Sequence, residues 1–188
     1  MNTATLVIVI AVILIAIAGI GAWVYLGKHK TQKLRTRFGP EYARVVEESG
    51  GRRKGEAGLK AREKRVEGFA IRPLAASDRE RYIASWHKIQ TEFVDDPKSS
   101  VTQADQLLGD VMSTRGYSVG EFEQRSADIS VDHPLVVENY RAAHEIAVRH
   151  AGGQASTEDL RQAMIHYRTL FDELVGEPEM AHAKVAAS

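Results

Sequence analysis

The residues best suited to chemistry in this sequence are its histidines. His144 and Glu145, followed by His150, superficially match a zinc-protease motif. In that motif the two histidines lie four residues apart and face one metal ion, whereas a six-residue separation on a helix directs them about 240° apart. The sequence therefore predicts no metal site. Cysteine is absent, which also removes thiolate ligands and cysteine nucleophiles.

Two other patterns could carry catalysis or cofactor binding. Asp132 and His133 could pair an acid with a base, but no serine in a strand-to-helix turn accompanies them. Asp132 is better interpreted as the cap of a helix that Pro134 begins. The segment Gly50–Gly55 lacks the residue order of a phosphate-binding loop. No cofactor is therefore predicted, and catalysis is not the favoured function.

The elements that position these residues are predicted to be helices. Ser156 and Asp159 resemble a capping box, and Gly116 is expected to end an earlier helix. No alternating β-branched segment of strand length follows the N-terminal apolar run, so residues 73–176 are predicted to form an acidic, all-α bundle of four or five helices. Residues 177–188 are predicted to be a flexible tail. The last helix has the clearest apolar stripe: Leu160, Met164, Tyr167, Phe171 and Leu174.

The N-terminus contains an apolar run long enough to cross a bilayer. From Ala4 to Leu26 there are 23 residues without a charge, against about 20 needed for a spanning helix. We therefore predict a transmembrane anchor over residues 4–27, with Trp23 and Tyr25 as interfacial aromatic residues. Cleavage after the Ala16-x-Ala18 pattern, as in an exported protein, is the alternative.

Basic residues follow the apolar run and none precedes it. The positive-inside rule then predicts a single-pass cell-membrane protein with its N-terminus outside and its C-terminal domain in the cytoplasm. The same residues are predicted to contact anionic lipid headgroups at the membrane surface. They are Lys28, Lys30, Lys33, Arg35 and Arg37.

The net charge of zero conceals a division of charge along the chain. From Lys28 to Arg72 there are 14 basic and six acidic residues, whereas from Pro73 to the C-terminus there are 11 basic and 19 acidic residues. Residues 28–72 are predicted to be a basic, mostly solvated helical stalk with a break near Gly50. Its basic clusters contain no interleaved aromatic residues and are diluted by glutamates, so nucleic acid is not an expected partner.

Five short segments of the chain carry a resemblance to known proteins: Arg37–Tyr42, Ile71–Leu74, Val94–Pro97, Val131–Pro134 and Ser156–Arg161. They resemble a group of uncharacterised bacterial proteins with one N-terminal span and a helical domain. The resemblance covers most of the chain. It implies a bacterial source and this architecture, but it carries no activity.

These observations favour a membrane-tethered, noncatalytic interaction or adaptor module that binds a cytosolic protein or a second copy of itself. One alternative is an exported envelope or stress protein. Another is an enzyme or ligand-binding domain whose site the fold assembles from His133, His144 and His166 with neighbouring carboxylates. Sequence spacing does not decide among these functions.

Overall fold

The computed structural model describes residues 19, 25 and 28–176 of the chain. Its described part is helical and contains no β-strand, as the sequence predicts. Within the described residues the chain divides into two compact units, and the boundary along the sequence falls between Glu56 and Ala57. The helices are α1 (28–38), α2 (Pro40–Glu48), α3 (Arg52–Val66), α4 (Ala76–Glu92), α5 (Pro97–Arg115), α6 (Phe122–Asp132), α7 (Val137–Ala151) and α8 (Thr157–Gly176).

The predicted fold class is wrong in one element, the transmembrane helix. Among the described residues, no helix has both the length and the apolar character needed to cross a membrane. The physical reason is that these helices are amphipathic: the longest, Thr157–Gly176, carries charged side chains along its exposed side. The predicted anchor, residues 4–27, lies outside the described residues except for Gly19 and Tyr25.

The first unit has a small apolar interior. Leu34 and Phe38 of α1 and Tyr42 and Val45 of α2 are buried, although the sequence suggests a mostly solvated stalk. The chain reverses at Gly50, whose positive φ of 70° suits glycine. The break predicted near Gly50 is therefore confirmed, and the predicted stalk, residues 28–72, spans parts of both units.

The second unit is built around α8, which packs against α5 and α7 along much of its length and touches α4 at fewer points. Five helices, α4 to α8, lie within residues 73–176, in agreement with the predicted bundle. The apolar stripe predicted for α8 is buried throughout, with exposed fractions of 8% or less. Burial of such side chains, at about 25 cal/mol per Å² of apolar surface, supplies the main stabilisation of the bundle.

The ends of the helices test three predictions that were made from local sequence signals. Gly116 ends α5 with a φ of 95°, and a β-carbon there would collide with the carbonyl oxygen of Ala70. The capping box before α8 is confirmed, because the amide of Asp159 donates to Ser156 Oγ at 3.1 Å and the amide of Ser156 donates to Asp159 Oδ2 at 2.8 Å. Asp132, by contrast, does not cap a helix starting at Pro134, since α6 ends at Asp132 and α7 begins at Val137.

Candidate functional site

Two concavities, with volumes of about 230 and 170 Å³, lie along the seam between α4 and α8, and together they form what we call the α4/α8 groove. Ile83 and Ile165, which are 38% and 46% exposed, belong to different concavities. The first concavity is lined by Arg79, Ile83, Phe171, Asp172, Val175 and Gly176, and the second by Gln90, Phe93, Arg161, Met164, Ile165 and Arg168.

The floor of this groove is part of the packed core. Trp86 of α4 stacks on Phe171 of α8 with ring centroids 4.8 Å apart and an interplanar angle of 14°. Trp86 is only 4% exposed, and Phe171 is 3% exposed although it lines one concavity. In each concavity a partly exposed isoleucine adjoins an aromatic side chain, Ile83 with Phe171 and Ile165 with Phe93, which gives a concave apolar surface of the kind that holds a complementary apolar side chain.

A polar cluster joins four helices elsewhere in the same unit. Asp105 of α5 accepts a hydrogen bond from the Tyr167 hydroxyl of α8 at 3.2 Å and lies 3.8 Å from a guanidinium nitrogen of Arg125 in α6. Tyr140 of α7 is fully buried nearby, and its hydroxyl has no hydrogen-bond partner among the described residues. Burial, reinforced by the Asp105 charge, raises the pKa of both Tyr140 and Tyr167. Both phenols are therefore neutral at physiological pH, which suits hydrogen bonding rather than proton abstraction.

The three histidines of the enzyme hypothesis have three different environments. His133 lies 3.2 Å from Glu173, and His166 lies 2.8 Å from the side-chain oxygen of Asn139. His144 stacks on Phe122 with ring centroids 3.5 Å apart. Burial lowers the pKa of His144, although the Asp105 charge opposes this shift. In the part of the chain that the structure describes, no three His, Asp or Glu side chains are grouped as metal ligands.

The basic residues predicted to contact lipid do not all share one face of α1. Lys33 and Arg37 lie with His29 on an exposed side of α1, which lines a shallow concavity of about 410 Å³ formed by His29, Gln32, Lys33, Thr36 and Arg37. Lys30 is exposed but lies one turn before the buried Leu34, so it borders the buried side of the helix.

The remaining predicted contact residues are placed differently. Arg35 lies over the ring of Tyr42, with its guanidinium carbon 5.2 Å from the ring centroid. Lys28 is exposed on another side of α1. Tyr25 is exposed, and Trp23 lies outside the described residues. The structure tests neither the lipid contacts nor the predicted localisation, which stay predictions.

Sequence reasoning missed both the α4/α8 groove and the Asp105 cluster. Each brings together residues from different helices, such as Asp105 and Tyr167, which are 62 positions apart, and helical periodicity within one segment does not reveal such pairs. One signal was available in the sequence. Ile165 adjoins the inward stripe of α8 at Met164, so it widens that stripe toward solvent.

Comparison with known proteins gives no identification. No family model matches the chain, and neither a curated protein nor a solved structure matches it. The family resemblance drawn from the sequence therefore stays a prediction.

Proposed function

We propose that this chain is a noncatalytic interaction module whose helical domain binds a protein partner through the α4/α8 groove. The observation that carries the proposal is the pair of partly exposed isoleucines, Ile83 and Ile165, set in two concavities on one seam. Exposed apolar side chains are common when scattered, but their grouping in a concave surface is typical of binding sites.

Site-specific photocrosslinking in the native host tests this proposal. A photoreactive amino acid is placed at Ile165 and, as a matched control, at Leu135, which is 75% exposed and lies outside the groove. We expect a discrete crosslinked protein from position 165 that disappears when Ile83→Asp is added. Equal crosslinking from both positions, or crosslinking unaffected by Ile83→Asp, would contradict the proposal.

Exposed basic residues of α1 support a second candidate function, contact with an anionic lipid surface. Lys30 and Lys33 are both exposed on α1, and each Lys or Arg near such a surface contributes about 1 kcal/mol. Vesicle sedimentation of the full chain should show stronger binding to vesicles that contain anionic lipid than to zwitterionic vesicles. Lys30→Glu with Lys33→Glu should remove most of this difference. Lys60→Glu with Lys64→Glu, an equal charge change on exposed positions of α3, should not.

A further inference from the structure

We propose that the occupant of the α4/α8 groove is an amphipathic helix of a partner protein that carries carboxylates beside its apolar stripe. This inference rests on the proposed function and adds the chemistry of the partner. It is carried by two features of the groove: the spacing of its concavities and the charge of its rim.

The spacing matches the repeat of a helix. Ile165 lines one concavity and Asp172 lines the other, and the two residues are seven positions apart on α8. Seven residues are two helical turns, or about 10 Å. A partner helix lying along the seam can therefore insert apolar residues i and i+7 into the two concavities and cover the floor between them with residues i+3 and i+4.

The rim of the groove carries a charge opposite to that of its surroundings. Three arginines, Arg79, Arg161 and Arg168, and one aspartate, Asp172, line the two concavities. The chain from Pro73 onward has an excess of acidic residues, with 19 against 11 basic residues. A locally basic rim within an acidic domain attracts carboxylates to the groove, whereas the rest of the domain repels them.

The rim arginines Arg161 and Arg168 have carboxylate neighbours, but these pairs are exposed. Arg161 donates to Glu158 at 2.7 and 2.8 Å, and Arg168 lies 3.5 Å from Asp172. Both arginine side chains are more than half exposed, at 52% and 62%. Exposed ion pairs of this kind contribute little to stability, so a partner's carboxylate can share or replace them at low cost. Glu158→Gln should therefore strengthen binding of an acidic helix.

Trp86 reports on the groove through Phe171, because its ring stacks on that residue and Phe171 lines one of the concavities. The chain has two tryptophans, so Trp23→Phe leaves Trp86 as the sole emitter. In this full-chain background, the probe is a designed helical peptide of about 18 residues, or five turns, with leucines at i, i+3, i+4 and i+7 and flanking glutamates. A second peptide carries lysines in place of the glutamates.

We expect the acidic peptide to change Trp86 emission and to bind about tenfold or more tightly than the basic peptide at low salt. Arg161→Glu with Arg168→Glu should reverse this preference. The control Arg149→Glu, at a 44% exposed arginine outside the groove, should retain it. Circular dichroism establishes that each variant is folded.

The experiment distinguishes a failure of the acidic-helix inference from a failure of the proposed function. If both peptides bind equally and Ile165→Asp abolishes both, the groove is a binding site but the acidic partner is wrong. If neither peptide binds, the acidic-helix proposal is overturned, and the photocrosslinking result decides the proposed function separately. A dimer in sedimentation that Ile165→Asp dissociates identifies a second copy as the occupant and overturns the inference. If the peptides bind only after residues 177–188 are deleted, the occupant of the groove is this C-terminal segment of the chain itself, and the inference also fails.

Discussion

The Tyr167 hydroxyl donates a hydrogen bond to Asp105 at 3.2 Å, while the equally buried Tyr140 hydroxyl beside it has no partner among the described residues. The hydroxyls of two tyrosines in one cluster thus differ in whether they make this hydrogen bond. Their comparison isolates the contribution of a hydrogen bond to a charged acceptor.

Tyr167→Phe should lower the free energy of unfolding by about 1.5 kcal/mol, because it removes a hydrogen bond to a carboxylate. Tyr140→Phe should be neutral or slightly stabilising, because it removes a buried hydroxyl that pairs with no described residue. Urea unfolding at neutral pH measures both values. Equal losses for the two variants would contradict the hydrogen-bond assignment.

His144 should make the helical unit less stable in mild acid. Burial beside Phe122 lowers its pKa, so the folded state holds the neutral ring while the unfolded chain takes up a proton near pH 6.5. The stability that this histidine contributes is present above that pH and is lost as the pH falls. The decrease in unfolding free energy between about pH 7.5 and pH 5 should be smaller for His144→Phe than for the natural chain. His87→Phe, at an exposed position, should leave the decrease unchanged.

Arg65 and Asp128 form the ion pair that ties α3 to α6, with Arg65 Nε 2.7 Å from Asp128 Oδ1. The Asp128 side chain is 1% exposed and that of Arg65 is 38% exposed. Removing the arginine leaves a buried carboxylate whose remaining partner in the described contacts is Gln124, so Arg65→Met should cost about 2–3 kcal/mol. Lys64→Met, at the exposed neighbouring position, should change stability by less than about 0.5 kcal/mol. Similar urea midpoints for the two variants would refute this role.

Two glycines of α3 should respond oppositely to alanine. A β-carbon on Gly55 would lie 2.8 Å from the α-carbon of Val46, a backbone atom that must move to make room. Gly58 has no neighbouring atom within 4 Å of such a carbon. Gly55→Ala should therefore destabilise the chain by about 1–3 kcal/mol, and Gly58→Ala should stabilise it by about 0.5–1 kcal/mol. Thermal melts give the sign of each effect, and a stabilising Gly55→Ala would disprove the close approach.

Sequence alone predicted the features of this fold that are local. The α8 stripe and the Ser156–Asp159 capping box depend on spacings of three or four residues, and both are present. The start of α7 was misplaced because Pro134 suits a turn as well as a first helical residue. His133 and Val136 close that turn through a backbone hydrogen bond of 3.2 Å.

The buried charges were not predictable in the same way. Asp128 and Arg115 look like surface residues in sequence, because charged side chains are rarely buried unless paired. Their partners lie 63 and 59 positions away in the chain. The α4/α8 groove was not predictable for the same reason, since Ile83 and Ile165 line its two concavities only when the helices are packed together.

Arg115 supplies positive charge to the C-terminal turn of α8, which has no basic residue of its own. The last turn of α8 contains no basic residue, and the buried Arg115 side chain at the end of α5 donates to the Leu174 carbonyl at 2.9 Å. The positive charge that favours a helix C-terminus is thus supplied by a different helix. Fraying of the final turn of α8 is consequently coupled to the integrity of α5, and amide exchange in that turn depends on a residue 59 positions earlier in the chain.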